Sequence, residues 1–188
     1  MYQTLLTTLE NGIFTITINR PDKLNALNKQ VFTDLDHAID EVYNNAEIKT
    51  VLITGGTDGI GRSLVLQYLS LGANVVTCGR TQHKIHALEA EAPVGKLCVL
   101  NIDVAVERDC ERLVNHAIQQ FGSIDILINN AGISMRGLME EGGKEIIGVI
   151  KRVMDINYFG TVYCTTYALP HLIKSKGVIV GISSIAGY

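Results

Sequence analysis

A glycine-rich segment, residues 54–61, lies between an apolar run and a stretch with helical periodicity, and it strongly constrains the fold. The apolar run covers residues 50–54, and the helical pattern covers residues 62–71. Glycine permits positive φ angles in a tight turn and lets the main chain approach a bound diphosphate. A helix that begins at such a turn presents free N–H groups and the positive end of its dipole to an anion. The alternative, a plain turn without a ligand, is disfavoured because a second strand follows at the expected distance.

The rest of the chain after this turn alternates between apolar runs and amphipathic stretches. The predicted strands are 50–54, 73–78, 97–102, 124–128 and 177–182, and the predicted helices are 62–71, 82–91, 106–121 and 142–174. Strands that are apolar throughout and alternate with helices predict a parallel sheet covered on both faces. The predicted fold class is therefore α/β, a three-layer Rossmann-like parallel sheet of order 3-2-1-4-5. Its nucleotide-binding half would run from about residue 49 to residue 132.

The N-terminal residues have a different rhythm, which predicts an added β-hairpin and helix. Two strand-like runs, 3–9 and 12–19, flank an Asn-Gly pair, which is a strong hairpin signal. Residues 27–43 carry apolar side chains on one helical face. The change of pattern predicts two domains, residues 1–48 and residues 49–188.

The last predicted strand leaves an apolar sheet edge that invites pairing. The strand at 50–54 already has neighbours on both sides in a 3-2-1-4-5 sheet, so the hairpin cannot pair beside it. We expect the hairpin to cover the free edge, in the same molecule or in a partner's, or to pack loosely. A homodimer through this edge is the resulting hypothesis.

The residue at the end of the second predicted strand of the sheet predicts the choice of cofactor. A site for NAD has an acidic residue there, which binds the ribose 2′-hydroxyl. This chain has Gly79 and Arg80 instead. A guanidinium suits a 2′-phosphate, so NADP(H) is the expected cofactor and NAD the alternative. Against this, Arg80 could be an ordinary solvated arginine, and Asp58 places a negative charge near the phosphate site.

Five motifs resemble those of the short-chain dehydrogenase/reductase family, and they occur in the family's order between residues 49 and 188. They are the glycine motif at Thr54, Gly55, Gly59 and Gly61, the pair Asp103-Val104, the segment Asn129-Asn130-Ala131-Gly132, the helix segment with Asn157, and the strand end with Ser184. The resemblance implies an oxidoreductase that transfers hydride between a nicotinamide cofactor and a substrate. It also implies which residues bind the cofactor: Thr54, Gly55, Gly59, Ile60, Gly61, Arg80, Asp103, Val104, Asn130, Ala131 and Gly132.

The same resemblance implies catalytic roles for Asn157 and Ser184, in holding a proton-relay water and in orienting the substrate oxygen. In the family a tyrosine and a lysine, in the pattern YxxxK, follow the serine by about a dozen residues and move the proton. Here Tyr188 stands four positions after Ser184 and no lysine follows it. We therefore expect the cofactor-binding half of the enzyme without its catalytic tyrosine and lysine, and no turnover.

The N-terminal segment resembles a different family, the enoyl-CoA hydratases (crotonases). The resemblance covers residues 1 to about 53 and centres on the stretch from Arg20-Pro21 to Asn25-Ala26-Leu27, which in that family lines the coenzyme A site. The strand before Gly55 fits both families, so a chimera joined there is the simplest account. Engineered recombination is the first explanation and natural fusion or a misassembled reading frame the second. Alternative functions are therefore an engineered fold without enzymatic function and an acyl-CoA-binding or hydratase-like fragment.

Composition excludes several other classes of function. A net charge of −3 argues against nucleic acid as a partner. The four cysteines have no zinc-site spacing, and His83 and His86 lack a third ligand nearby in the sequence, so no metal is expected. No signal peptide is evident, and no apolar run approaches the roughly 20 residues of a membrane span. We expect a cytoplasmic protein without a membrane partner.

Overall fold

The computed structural model describes residues 2–10, 13–23, 28–43, 50–135 and 143–183. Two strands and a helix come first, followed by alternating strands and helices. The elements are β1 Leu5–Glu10, β2 Ile13–Ile18, a short 3-10 turn Pro21–Lys23, α1 Lys29–Tyr43, β3 Thr50–Ile53, α2 Gly59–Ser70, β4 Asn74–Gly79, α3 Gln82–Glu91, β5 Leu97–Asn101, α4 Glu107–Phe121, β6 Ile126–Asn129, α5 Glu145–Met154, a wider π-type turn Asp155–Phe159, α6 Gly160–Ser175 and β7 Val178–Gly181.

Five of the strands form one parallel sheet in the order β5-β4-β3-β6-β7. Strand β3 lies at its centre, where Leu52 is opposite Val76 of β4 on one side and Leu127 of β6 on the other. Numbered from β3, this is the order 3-2-1-4-5, so the predicted Rossmann-like sheet is confirmed. The carboxyl ends of β3, β4, β5 and β6 all point to one edge of the sheet, where ligands of such folds bind.

Each face of the sheet is covered by two helices and buries its own apolar core. Leu52 and Val76 point towards α4 and α6, where Leu113 is fully buried. Val51 and Val75 point the other way, towards α2 and α3. Successive side chains of a strand point to opposite faces, so strands that are apolar throughout fill both cores.

The hairpin β1–β2 forms a separate two-stranded antiparallel sheet, as the sequence predicts. Its Asn-Gly turn lies outside the described residues. Helix α1 packs on the hairpin through Val31 and Ala38, which lie with Leu5 in a small third core. Cα atoms of β2 lie within 8 Å of Cα atoms of β7. The hairpin thus lies beside the β7 edge of its own chain, one of the arrangements expected, while the homodimer stays a prediction.

The helical region predicted at 142–174 consists of two helices joined by a wider turn. Helix α5 ends at Met154 and α6 begins at Gly160, and the π-type turn between them keeps the chain helical. Gly160 packs on Val104, since a Cβ at residue 160 would lie 3.0 Å from Val104 Cγ2. Helical periodicity in a sequence does not reveal such a one-turn widening.

Candidate functional site

A cleft of about 480 Å³ opens at the carboxyl ends of the central strands. Most of the residues that the sequence marks for cofactor binding line it: Gly55, Gly59, Ile60, Gly61, Arg80, Asp103, Val104, Asn130, Ala131 and Gly132. Thr54 lies buried beneath the cleft. The turn after β3 thus faces the ends of β4, β5 and β6 across one depression.

The turn after β3 requires glycine for two reasons, a positive φ angle at some positions and close packing at another. Gly55 and Gly59 have positive φ angles of 67° and 51°, which side chains disfavour. Gly61 is needed for close packing, because a Cβ there would lie 2.4 Å from the carbonyl oxygen of Gly55. A Cβ on Gly59 would meet nothing within 4 Å, so the main chain borders open space there.

Helix α2 begins in this turn and leaves main-chain donors free. Its first main-chain hydrogen bond runs from Arg62 N back to the carbonyl oxygen of the cap residue, Asp58. The amide of Gly59 donates to the Asp58 carboxylate at 2.9 Å. The amides of Ile60 and Gly61 have no hydrogen-bond partner within the described part of the chain. Two donors at the positive end of a helix dipole therefore remain for an anion.

The cap residue Asp58 pairs with a cation on the next helix. Its Oδ2 accepts a hydrogen bond from Nζ of Lys84 on α3. This hydrogen bond, and then the one from the Gly59 amide, lower the pKa of Asp58 below its ordinary value. Asp58 is therefore a charged carboxylate at the cleft and has a direct counter-ion.

The segment after β6 holds the glycine turn in place. The Asn130 side-chain amide donates to the carbonyl oxygens of Thr54 at 3.0 Å and Gly55 at 3.2 Å. The main-chain amides of Asn130 and Ala131 each donate to the Thr54 hydroxyl at 3.0 Å. Two motifs that lie about 75 residues apart in the sequence thus form one hydrogen-bonded unit.

Two arginines approach the same carboxylate on the opposite side of the cleft. Arg80 Nη1 lies 3.6 Å from Asp103 Oδ2, and Arg152 Nη2 donates to that oxygen at 2.7 Å. Burial raises the pKa of Asp103, but the hydrogen bonds from Arg152 and the Ala105 amide, with the charges of both arginines, outweigh it and lower the pKa overall. The Arg80 side chain remains about half exposed, at 52%.

Of the two predicted catalytic residues, the structure describes Asn157 but not Ser184. Asn157 lies on the π-type turn, and its side chain makes a reciprocal pair with the main chain of Ile133. The Ile133 amide donates to Oδ1 and Nδ2 donates to the Ile133 carbonyl oxygen, each at 2.9 Å. Ser184 lies outside the described residues. Ile182, two residues earlier, lines the cleft.

Sequence reasoning missed several residues that shape the site. Thr77 donates to the Ile53 carbonyl oxygen at 2.6 Å and accepts from the Gly56 amide at 3.0 Å. A polar residue in an otherwise apolar strand was the available signal for Thr77. Nothing in the sequence marked Lys84 or Arg152, because their partners are far away in the chain and are found only by folding.

Neither a metal-binding cluster nor a membrane-spanning helix occurs within the described ranges. No cluster of three or more histidine, cysteine, aspartate or glutamate side chains there could hold a metal ion. No helix there is both long enough and apolar enough to cross a membrane. All four cysteines are free, and three of them, Cys78, Cys110 and Cys164, are buried.

The fold and the site define an α/β protein of the Rossmann type. The chain belongs to the short chain dehydrogenase family, whose family model matches residues 49–188. A second family model, for enoyl-CoA hydratase/isomerase, matches residues 8–61. The two matches overlap on residues 49–61, which include β3, the strand predicted to fit both families, and also the turn after it.

Curated relatives cover the same part of the chain. An 11-beta-hydroxysteroid dehydrogenase from Pinus massoniana is 37% identical over 145 residues, which are 76% of this chain and 40% of that protein. 11-beta-hydroxysteroid dehydrogenase A from Arachis hypogaea is 38% identical over 144 residues, with 75% and 41% covered. The chain thus spans less than half the length of these curated relatives.

Solved structures with this fold include proteins with either cofactor. A short-chain dehydrogenase/reductase from Caenorhabditis elegans with cofactor is 31% identical, with a TM-score of 0.68, and the match covers 74% of this chain and 54% of that one. ElxO with NADP bound is 35% identical, with a TM-score of 0.63 and coverages of 74% and 56%. An NADH-dependent reductase complexed with NAD is 28% identical, with a TM-score of 0.65 and coverages of 77% and 63%.

Proposed function

We propose that this chain binds NADP(H) in the cleft and forms the cofactor-binding part of a short-chain dehydrogenase. One observation carries the proposal: the amides of Ile60 and Gly61 lack a partner in the described residues, at the start of α2, where the turn borders the cleft. Free amides at a helix N-terminus fit a diphosphate. Gly59 adds room, since its position borders open space.

The preference for the phosphorylated cofactor rests on Arg80. The neighbouring structures include proteins with NADP and with NAD, so the fold by itself does not select the cofactor. The side chain at the end of β4 is where we expect the choice to be made. That side chain is a half-exposed guanidinium, which can make bidentate hydrogen bonds to a 2′-phosphate. Arg152 already donates to Asp103 at 2.7 Å, whereas Arg80 is 3.6 Å away and is thus the more readily redirected of the two.

The remaining assignments follow the family resemblance and are part of the proposal. Asp103 and Val104 would contact the adenine, and Asn130, Ala131 and Gly132 would border the cofactor while holding the glycine turn. Asn157 and Ser184 would serve catalysis. When bound, the nicotinamide supplies or accepts a hydride. The whole protein's activity is accordingly proposed as oxidation or reduction of a substrate at an alcohol or carbonyl group.

Titration with NADPH and NADH, followed by calorimetry, tests the proposal. We expect NADPH to bind more tightly than NADH, and Arg80→Ala to weaken NADPH binding by about tenfold or more, as expected for lost charge-assisted hydrogen bonds. NADH binding should hardly change. Arg108→Ala is the matched control, because Arg108 is exposed on α4 and outside the cleft. Failure of wild type to bind either nucleotide would contradict cofactor binding, and equal affinities would contradict only the preference.

A second candidate function rests on the enoyl-CoA hydratase match at residues 8–61. An acyl-CoA-binding module would respond to an acyl-CoA titration and not to nucleotides. The overlap of the two family matches also supports a chain assembled from fragments of two families at β3. That these residues by themselves do not turn over substrate stays a prediction, and an assay with NADPH and a carbonyl substrate tests it.

A further inference from the structure

An acidic side chain occupies a position where the proposed function requires an anion to bind. Asp58 is the N-terminal cap of α2, lines the cleft and leaves 71% of its side chain exposed. Its carboxylate engages the Gly59 amide at 2.9 Å, next to the free amides of Ile60 and Gly61. A carboxylate there adds negative charge beside a diphosphate site and would repel the ligand unless the charge is compensated.

Lys84 provides a compensating charge. Its Nζ donates to Asp58 Oδ2, and its side chain also lines the cleft. Lys84 lies in the first turn of α3, so the contact crosses from one helix to the next. The lowered pKa of Asp58 keeps its carboxylate charged at neutral pH, so the pair is ionic under the conditions in which nucleotide would bind.

A second ion pair joins the same two helices away from the cleft. Arg62 Nη2 donates to both carboxylate oxygens of Glu91, at 2.5 and 2.6 Å. Neither residue lines the cleft. Because this pair already links α2 to α3, the packing of these helices does not depend on Lys84 alone.

We propose that Lys84 is the counter-charge of Asp58 at the mouth of the cleft, and that it allows an acidic residue to stand in the turn that holds the cofactor's diphosphate. This inference rests on the proposed nucleotide binding. It makes Lys84 a positioning residue for electrostatic reasons, acting through Asp58 and not as a ligand of the 2′-phosphate.

The proposal predicts a particular pattern of affinities. Lys84→Gln should weaken NADPH and NADH binding by the same factor, because both contain the diphosphate. Because exposed ion pairs contribute little free energy, we expect this factor to be about two to five at low salt. Asp58→Asn should bind as well as wild type or better, and the double variant should recover wild-type affinity. Added salt should reduce the effect of Lys84→Gln, because ions screen exposed charges.

The experiment titrates wild type and the three variants with NADPH and with NADH, at low and high salt. Glu91→Gln is the matched control, since it breaks the ion pair that joins α2 to α3 outside the cleft but keeps the charge of Arg62, which also lowers the pKa of Asp58. It should leave both affinities unchanged. Unchanged affinities in Lys84→Gln overturn the inference, and so does a loss confined to NADPH, which would make Lys84 a 2′-phosphate ligand. A double variant as weak as Lys84→Gln also overturns it. Failure of wild type to bind either nucleotide would instead overturn the proposed function itself.

Discussion

The side-chain amide of Asn130 lies 3.0 Å from the main-chain oxygen of Thr54 and donates a hydrogen bond to it. The same amide reaches the Gly55 oxygen at 3.2 Å, so one side chain satisfies two carbonyl groups of the glycine turn. Thr54 is buried, and its carbonyl has little access to solvent. The shape of the turn therefore depends on a residue at the end of another strand.

Replacing Asn130 with alanine should destabilise the protein and weaken nucleotide binding together. Leaving a buried carbonyl without its donor costs about 1–3 kcal/mol. Chemical denaturation and NADPH titration measure the two effects. Asn115→Ala is the control, because Asn115 is exposed on α4 and outside the cleft. A variant that keeps both stability and affinity would show that Asn130 does not fix the turn.

Replacing Gly55 with alanine should cost about 1–3 kcal/mol in the free energy of unfolding. Gly55 has a φ of 67°, and an added Cβ would lie 3.0 Å from the Ala131 Cα, a main-chain atom that has little room to move. Gly148→Ala is the contrasting control, since a Cβ there meets nothing within 4 Å on helix α5. Alanine should stabilise that helix position by about 0.5–1 kcal/mol. Urea denaturation should give a lower free energy of unfolding than wild type for Gly55→Ala and a higher one for Gly148→Ala.

The strands of the sheet can be predicted from the sequence because each strand is marked by a local pattern of apolar residues. Runs such as that around Leu52 are apolar on both sides, and this pattern requires a covered parallel strand. The contacts that shape the cleft carry no comparable local signal. Arg152 meets Asp103 across 49 positions and Lys84 meets Asp58 across 26, so the sequence shows the charges but not which charges pair.

The first residue of α2 is another feature that the local sequence pattern does not predict correctly. Apolar periodicity predicts a helix from residue 62, whereas α2 begins at Gly59. Glycine is a poor helix former, so propensity places the boundary too late. The Asp58 cap and the open cleft beside it fix the true start, and both depend on the fold around them.

Replacing Arg152 with glutamine should raise the pKa of Asp103 and reduce the preference for NADPH. Arg152 donates the 2.7 Å hydrogen bond that helps to lower this pKa. Without this hydrogen bond, Arg80 would be the arginine that still pairs with Asp103. A stronger Arg80–Asp103 pair would hold the Arg80 guanidinium away from a 2′-phosphate. Carboxyl titration by NMR and paired NADPH and NADH titrations measure the two effects. Lys151→Gln is the control, because Lys151 is exposed and adjacent in the chain. An unchanged cofactor ratio in Arg152→Gln would show that the two arginines act independently.

The carboxylate of Asp34 on α1 joins this helix to the start of the hairpin by hydrogen bonds, and we expect these contacts to weaken in acid. Asp34 Oδ2 accepts from the Thr4 hydroxyl at 2.7 Å and from the amides of Thr4 at 2.8 Å and Gln3 at 3.0 Å, while Gln30 donates to Oδ1 at 2.9 Å. The Thr4 hydroxyl has the largest effect on the pKa of Asp34 and lowers it, burial raises it, and the other donors bring it below 3.8 overall.

A carboxyl whose pKa is lower in the folded than in the unfolded state stabilises the fold above the unfolded value. That stability is lost as the pH falls through the folded value. Asp34→Asn should therefore be less stable than wild type at about pH 6. The difference should shrink once the pH falls below the ordinary carboxyl pKa and vanish below the lowered pKa that Asp34 has in the folded protein. Hydrogen exchange at the Thr4 amide reports the joint directly, with Asp36→Asn, exposed on the same helix, as the control. If the difference between Asp34→Asn and wild type is the same at both ends of this pH range, the carboxylate does not join the hairpin to α1, and the apolar contacts of Val31 and Ala38 with the hairpin must do so instead.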